Sequence, residues 1–404
     1  MDERGSVLAF PQAPDAIELR HLRAFVAVAE ELNFGRAATR LYISQPALSR
    51  QIRALEQLVG CELLRRSTHR VDLTLAGEAL LDRARTLLQD VDDAVSVTRS
   101  VGGELAGRID RMWQPMVELS EAGAELPELR AAYETMHAQF TAPPDTEILP
   151  VNANGVHALS VAPEPGVPAT LLYLHGGGYI LGSAFGYRAL AGALAAAAGT
   201  GALVVEYRLA PEHPYPAALD DVLTAYAWML ERGTAPGDIV LAGDSSGGGL
   251  TMTTLLAIAQ RGLPMPGGAI LFCPGVDLTF KLAARSTVPQ AEQVIEHGHL
   301  AARAYLGGHP ADDPLVSPLT ADLSPLPPVL VQAATGDVAR HDAQELTDHA
   351  RRHGVDARLE LYPVETHVFQ LFWSFLPEAA EALQQAGRFS AEVRGGRRVA
   401  ADTG

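Results

Sequence analysis

The fold is decided by the stretch Gly237-Asp-Ile-Val-Leu-Ala-Gly-Asp-Ser-Ser-Gly-Gly-Gly-Leu-Thr251, in which an apolar run of strand character enters a glycine-rich turn. Residues 243–247 fit the pattern G-x-S-x-G, whose glycines allow a turn sharp enough to present Ser245 above a sheet. A serine hydroxyl alone is a weak nucleophile, so this interpretation requires a base, an orienting acid and an oxyanion site elsewhere in the chain. The alternative is an ordinary glycine-rich loop, since the chain contains 37 glycines.

The composition predicts a globular protein of more than one domain, because 404 residues exceed one ordinary domain and 48% of them are hydrophobic. The net charge of -17 argues against nonspecific nucleic-acid binding by the whole molecule. However, residues 17–76 hold nine arginines against six acidic residues, a balance of +3 that leaves -20 for the remainder. One segment is therefore basic within an acidic chain.

The sequence gives no indication of secretion or of a membrane segment. Cys61 and Cys273 are the only cysteines, and no apolar run follows the charged start Met1-Asp-Glu-Arg4. The most apolar stretch, residues 189–205, is interrupted by Gly199-Thr-Gly201 and is interpreted as a buried helix followed by a strand. We therefore expect a cytoplasmic protein without a membrane partner.

The basic segment has the pattern of a winged helix-turn-helix. After a loose arm at residues 1–16, a helical pattern begins at Leu19, and Asn33 and Ser44 are suitable caps for two further short helices. The third helix, residues 45–58, turns apolar side chains inward and leaves polar ones outward, and residues 62–74 are typical of a β-wing. The outward and wing side chains that we expect to contact DNA are Gln45, Pro46, Ser49, Arg50, Arg53, Arg66 and Arg70.

Three stretches of this segment resemble the DNA-binding domain of LysR-type transcriptional regulators. They are Leu19-Arg-His-Leu-Arg-Ala-Phe-Val-Ala-Val-Ala-Glu-Glu-Leu-Asn-Phe34, Ile43-Ser-Gln-Pro-Ala-Leu-Ser-Arg-Gln-Ile-Arg-Ala-Leu-Glu56 and Leu73-Thr-Leu-Ala-Gly77. The resemblance runs from about residue 17 to residue 101 and implies double-stranded DNA as a partner. The alternative is a plain helical bundle with a solvated arginine face.

A coiled-coil seam is predicted next, because apolar and small residues recur at spacings of four and three at Leu80, Ala84, Leu87, Val91, Ala94 and Thr98. The resembled regulators dimerise through such a helix, so we expect a homodimer or a higher homo-oligomer. A lone amphipathic helix packed on its own domain is the alternative. The glycine-rich residues 102–107 resemble the hinge of those regulators, and the similarity to them ends there.

The remainder predicts an α/β domain. Residues 108–142 are helical in pattern and are expected to form a cap that ends at Pro143-Pro144. Helical stretches separate most of the strand-like runs that follow, which indicates a largely parallel sheet. Those eight runs are residues 147–151, 156–162, 169–174, 202–207, 239–242, 268–272, 329–334 and 359–362.

The predicted fold class is therefore multidomain, an all-α winged helix-turn-helix with a linker helix followed by an α/β domain with a mostly parallel eight-stranded sheet and a helical cap. The three motifs described below make this domain resemble an α/β-hydrolase. The expected divisions are an arm at 1–16, the DNA-binding domain at 17–76, the linker helix and hinge at 77–107, the cap at 108–145, the hydrolase at 146–388 and a tail at 389–404.

The hydrolase assignment depends on three motifs, His175-Gly-Gly-Gly178, Tyr207-Arg-Leu-Ala-Pro-Glu-His-Pro-Tyr-Pro-Ala217 and Gly243-Asp-Ser-Ser-Gly-Gly248. Together they resemble the hormone-sensitive-lipase-like family of α/β-hydrolases, mostly carboxylesterases, over residues 108–388. The resemblance implies that the backbone N–H groups of Gly177, Gly178 and Ser246 form the oxyanion hole, and that His175 shapes the turn. Ser246 replaces the alanine that is common in the family.

The base and the acid should follow Ser245 in the chain, each after a strand. His367 follows the run at 359–362, and Asp337 follows the run at 329–334. The family usually shows Asp-Pro-Leu-x-Asp at the acid, whereas this chain has Asp337-Val-Ala-Arg-His-Asp342, so Asp342 is the alternative. We prefer Asp337 because it lies at the end of a strand.

No cofactor and no metal are expected. Glu296-His-Gly-His299 offers two histidines without a third ligand at a characteristic spacing, and a solvated loop is the simpler interpretation. The aromatic residues after His367, from Phe369 to Phe375, favour core packing over a substrate pocket.

The functional hypothesis is a DNA-binding regulator fused to a serine esterase or lactonase acting on small esters, with the hydrolase as ligand sensor. The rival hypothesis is a transcription factor whose hydrolase fold binds a ligand without turnover.

Overall fold

A computed structural model describes residues 17–41, 43–66, 71–288 and 291–401, with side chains described outside 66, 89–90, 92–102 and 395–401. The predicted arm at 1–16 lies outside the described residues. The chain divides into two compact units, Met1–Ala106 and Gly107–Gly404. Within the described part, no helix has the length and apolar character needed to cross a membrane.

The first unit is a winged helix-turn-helix. Asn33 caps the second helix by accepting hydrogen bonds from Gly35 N and Arg36 N, and the Ser44 hydroxyl caps the third. Phe25, Leu48 and Ile52 are fully buried in its core. Its elements are α1 (Leu19–Glu31), α2 (Phe34–Arg40), α3 (Gln45–Val59) and the antiparallel pair β1 (Leu64–Arg66) and β2 (Val71–Leu73).

One long helix, α4 (Leu75–Glu121, 47 residues), follows the wing. Residues 102–107, where a hinge is expected, have helical backbone, and the boundary between the two compact units falls at Ala106–Gly107. Glycine inside a helix costs only about 1 kcal/mol relative to alanine, so a few glycines do not interrupt a long helix. Leu80 and Ala84, the first two residues of the predicted seam, pack on the core of their own unit. The side chains of Ala94 and Thr98 lie outside the described residues.

The second unit contains the predicted sheet, and the fold class is confirmed. Its sheet order is β10-β9-β8-β7-β5-β6-β4-β3, where β4 pairs antiparallel with both β3 and β6 and the other pairs are parallel. The strands are β3 (Glu147–Ala153), β4 (Val156–Ala162), β5 (Ala169–Leu174), β6 (Gly201–Val205), β7 (Val240–Asp244), β8 (Gly268–Phe272), β9 (Val329–Ala334) and β10 (Ala357–Tyr362).

Helices cover both faces of this sheet, and the four central strands β5 to β8 are almost entirely buried, as apolar parallel strands are expected to be. The helices are α5 (Leu126–His137), α6 (Ala184–Ala198), α7 (Ala217–Glu231), α8 (Ser246–Gln260), α9 (Ala291–Leu306), α10 (Arg340–Arg352) and α11 (Pro377–Ala401). Short 3₁₀ turns occur at Pro236–Asp238, Ala283–Arg285, Pro318–Thr320 and Phe369–Phe372.

Residues 389–401, where a separate tail is expected, continue α11 in the structure. Phe389 and Ser390 are buried, and Arg394 donates hydrogen bonds to Ala198 O and Thr170 Oγ1. Residues 402–404 lie outside the described residues.

Candidate active site

Ser245 occupies a sharp turn between β7 and α8. Its φ of 50° and ψ of -121° are strained for a residue with a side chain. The turn requires glycines on both sides, because a Cβ on Gly243 would lie 2.4 Å from Gly247 O and one on Gly247 would lie 2.1 Å from Leu174 O. The G-x-S-x-G pattern therefore reflects close backbone packing that holds the serine at the carboxyl end of the central strand.

Two loops bring a histidine and an aspartate to this serine. His367 Nε2 lies 2.8 Å from Ser245 Oγ, and His367 Nδ1 lies 2.8 Å from Asp337 Oδ2. Asp337 comes shortly after β9 and His367 shortly after β10, the two strands beyond β8 at one side of the sheet. The other Asp337 oxygen accepts a hydrogen bond from Ala339 N at 3.0 Å, which fixes the carboxylate.

Asp342, the alternative acid, is placed differently. It lies in the first turn of α10, is buried, and accepts hydrogen bonds from Val276 N at 3.1 Å and Asp277 N at 2.9 Å. Burial raises the pKa of Asp342 to about 7. This carboxyl group therefore holds the loop after β8, whereas Asp337 is the carboxylate that accepts the hydrogen bond from His367 Nδ1.

Asp337 and His367 each stabilise the charged form of the other. Burial opposes ionisation of Asp337, yet the positive charge and the hydrogen bond of His367 outweigh it, so the pKa of Asp337 is lowered. Burial also opposes the imidazolium, but the negative charges of Asp337 and Asp244 outweigh it, and the pKa of His367 is raised above its ordinary value. The arrangement thus stabilises a positively charged His367.

The predicted oxyanion residues lie in turns with free donors. Gly177 and Gly178 have φ values of 114° and 63°, and a Cβ on Gly177 would lie 2.3 Å from Leu181 O. Among the described residues, neither N–H donates a hydrogen bond. Ser246 is the first residue of α8, where backbone N–H groups have no intrahelical acceptor. These donors are available to a ligand oxygen.

Asp244, which precedes the serine, was not predicted as a site residue. It is fully buried, and its Oδ1 accepts hydrogen bonds from Tyr173 Oη at 2.8 Å and Gly176 N at 3.0 Å. Burial raises its pKa to about 6. Asp244 thereby connects the serine turn to the glycine turn that begins at His175. The sequence places Asp244 in the motif but gives no sign of this contact.

The contacts of His175 indicate a structural role. It is fully buried and stacked on Tyr207 with ring centroids 4.2 Å apart, and burial lowers its pKa to about 4. The Tyr207 hydroxyl donates to His175 O at 2.7 Å. These contacts hold the backbone from which the glycine turn begins.

A second unpredicted residue, Arg130 of α5, fixes the cap to the glycine turn. Its guanidinium donates to Ile180 O at 2.8 Å and to Ala210 O at 2.9 Å, and it forms a bidentate pair with Glu212 at 2.8 Å. This arginine lowers the pKa of Glu212 to about 2. The cap helix is therefore attached beside the predicted oxyanion residues.

Cys273 also lies near the Ser245, His367 and Asp337 triad, and its sulfur, Asp337 and His367 offer ligand atoms within 4.8 Å of one another. Burial raises the pKa of this thiol well above its usual range, and metals bind the thiolate. The neutral thiol and the mutual hydrogen bond of Asp337 and His367 make the group a poor metal site. Phe369 and Phe372 are fully buried, so the core interpretation holds for both.

The predicted DNA-contacting residues share one side of α3. Gln45, Pro46, Arg50 and Arg53 are exposed and Ser49 is half-buried, whereas the opposite face is buried. Within the described part of the chain, neither Arg50 nor Arg53 forms an ion pair. Arg66 ends β1, and its side chain and the whole of Arg70 lie outside the described residues.

The known proteins that this chain resembles fall into two groups, one for each of its two units. The α/β-hydrolase fold family matches residues 171–371, and the lysR family of bacterial regulatory helix-turn-helix proteins matches residues 19–78. An acetyl-hydrolase of Streptomyces hygroscopicus is 40% identical over 222 residues, which are 54% of this chain and 74% of that protein.

A solved esterase structure resembles the hydrolase unit, and a bacterial regulator resembles the helix-turn-helix unit. The crystal structure of an esterase from the bacterial hormone-sensitive lipase family is 36% identical, with a TM-score of 0.65 over 71% of this chain and 98% of that one. An HTH-type transcriptional regulator of Escherichia coli is 62% identical over 80 residues, which are 20% of this chain and 27% of that protein.

Proposed function

Because the chain belongs to the hormone-sensitive-lipase-like esterases of the α/β-hydrolase family, we propose that its second unit hydrolyses small carboxylic esters or lactones through Ser245. The observation that carries this proposal is a chain of two hydrogen bonds. His367 Nε2 lies 2.8 Å from Ser245 Oγ, and His367 Nδ1 lies 2.8 Å from Asp337 Oδ2. A serine hydroxyl alone is a weak nucleophile, whereas here His367 can act as its base and Asp337 can orient that base.

In the proposed mechanism, Ser245 Oγ attacks the ester carbonyl while His367 Nε2 takes its proton. Asp337, held ionised by His367, stabilises the imidazolium that forms. The negative charge on the carbonyl oxygen is stabilised by the N–H groups of Gly177, Gly178 and Ser246. His367 then protonates the leaving alcohol, and water activated by His367 releases the carboxylic acid from the serine.

The test is a panel of p-nitrophenyl esters of increasing acyl length, measured on the wild type and on Ser245→Ala. We expect turnover of short acyl esters and a loss of about 10⁴-fold or more in kcat for the variant, since nucleophile and base act as one unit. Wild-type binding of these esters without turnover would instead support the rival function, a ligand-binding domain without catalysis.

We also propose that the first unit binds double-stranded DNA as part of a homodimer in the cytoplasm. The exposed α3 face and the match to regulatory helix-turn-helix proteins support DNA binding. Leu87, an apolar residue of α4 with 51% of its surface exposed, supports pairing of two chains. Leu87→Glu with Val91→Glu should give monomers by light scattering, whereas a wild type that is already monomeric at micromolar concentration would remove the dimer.

The hydrolase unit is proposed to act as the ligand sensor of this regulator. A ligand changes DNA affinity only by its differential affinity for two arrangements, so a tenfold preference would contribute about 1.4 kcal/mol. Ser245→Ala should bind ester without consuming it. Its operator affinity is followed by fluorescence anisotropy at fixed salt with and without saturating ester, and an unchanged Kd would contradict the coupling.

A further inference from the structure

A cavity of about 270 Å³ lies in the second unit, apart from the triad. Its wall combines residues of α4, residues that follow α5, and residues that follow the 3₁₀ turn after His367. The lining of the cavity includes Arg108, Arg111, Met112, Gln139, Ser374 and Phe375. None of them has a role in the proposed hydrolysis.

The cavity is basic in a chain that is strongly acidic. The chain has 48 acidic and 31 basic residues, yet no described carboxylate forms an ion pair with Arg108 or Arg111, both of which are exposed. The Arg108 guanidinium lies 3.7 Å from the centre of the Phe375 ring. Stacking on a ring uses the flat face of a guanidinium and leaves its N–H edge open for a planar anion.

The remaining wall residues define what kind of anion fits. Gln139 and Ser374 add neutral hydrogen-bond donors, whereas Met112 and Phe375 present apolar surface in the same cavity. An inorganic anion would leave that apolar surface exposed to water. An anion with a short hydrocarbon chain would pair with the arginines and also remove the apolar wall from contact with water, which favours binding.

From these observations we propose that the cavity is a binding site for a small aliphatic monocarboxylate, held by Arg108 and Arg111. The carboxylate accepts hydrogen bonds from the two guanidinium groups, and its chain lies against Met112 and Phe375. That such an acid is also what the enzyme releases rests on the proposed ester hydrolysis. The site itself does not depend on turnover.

Isothermal titration of Ser245→Ala with sodium butyrate at constant ionic strength tests the site. Adding Arg108→Gln and Arg111→Gln should weaken the binding at least tenfold, because the paired carboxylate loses both cations. Adding Arg232→Gln instead is the matched control, since Arg232 is also an exposed arginine beside a ring, 5.8 Å from the Trp228 centre. This control should leave the affinity unchanged.

Three comparisons separate the possible results. Placed in the wild type, the two glutamine substitutions should preserve ester hydrolysis, which shows that the variant is folded and that the site is distinct from the triad. Equal butyrate affinity with and without the two arginines would overturn the proposal. Inorganic phosphate that binds as tightly as butyrate, and is lost with the same arginines, would also overturn it, because the apolar wall would then contribute nothing.

Discussion

The two units of this chain present their chemistry in opposite ways. On α3 of the first unit, Arg50 and Arg53 are exposed and have no acidic partner among the described residues. In the second unit, Asp337 is 5% exposed and Asp244 is fully buried, and each is hydrogen-bonded. The exposed arginines of α3 can pair with the negative charges of a binding partner. The buried carboxyl groups of the second unit already have hydrogen-bond partners within the protein.

This difference predicts how each site should respond to mutation. An exposed arginine contributes an incremental, salt-dependent amount to phosphate binding. A buried carboxylate that orients a base acts as part of a unit, so its loss is expected to remove most of the rate.

Replacing the acid of the triad should have the largest effect. Asp337→Asn keeps the side-chain size but removes the charge that His367 faces, and we expect a loss of about 10⁴-fold in kcat. Because Asp337 raises the pKa of His367, the acidic limb of the pH–rate profile should also move to lower pH in the variant. Both quantities come from steady-state kinetics on a p-nitrophenyl ester.

Asp342→Asn is the matched control, because both carboxyl groups are buried and lie five positions apart in the chain. Its effect on kcat should be far smaller, since Asp342 accepts hydrogen bonds from Val276 N and Asp277 N. A loss from Asp342→Asn equal to or greater than that from Asp337→Asn would reverse the assignment.

Asp244→Asn should change how stability depends on pH. Because burial raises the pKa of Asp244 to about 6, the folded protein holds this proton more tightly than the unfolded chain. The wild type therefore loses stability as pH rises from about 4 through the folded pKa to about 7, by at most about 3 kcal/mol from this group. The variant lacks this loss.

Urea unfolding of the wild type and of Asp244→Asn at several pH values measures this pH-dependent loss of stability. The free energy of unfolding of Asp244→Asn, relative to the wild type, should increase between about pH 4 and about pH 7. A difference that stays constant over this range would mean that Asp244 titrates normally in the fold.

Removing one exposed arginine of α3 should have the smallest effect. Arg50→Ala or Arg53→Ala should weaken operator binding by about 1–3 kcal/mol if the side chain reads a base, or lower the salt slope by about one if it contacts phosphate. Arg83→Ala, an exposed arginine on α4, changes the net charge equally. Equal losses from Arg83→Ala and the α3 variants, measured by anisotropy at several salt concentrations, would contradict the proposed interface.

The sequence predicted local features well where pattern and packing agree. The strands at Ala169–Leu174, Gly268–Phe272 and Val329–Ala334 match the predicted runs, because buried parallel strands are continuous apolar segments bounded by turns. Ser245, His367 and Asp337 could be proposed as a set because each follows such a strand.

The features that were missed depend on contacts between distant residues. Arg130 and Ile180 lie 50 positions apart, and Asp244 and Gly176 lie 68 apart, so no local pattern indicates either hydrogen bond. The helical backbone at residues 102–107 was missed for another reason. Glycine indicates a possible break, but neighbouring helix formers can override its weak preference.

The most direct test of the central claim is to trap the acyl-enzyme. Wild-type protein is mixed with excess p-nitrophenyl butyrate, quenched in acid within the first turnovers, digested and analysed by mass spectrometry. The account predicts one butyryl group on the peptide that contains Ser245, and none in Ser245→Ala. A butyryl group on a different residue, or full turnover by Ser245→Ala, would contradict it.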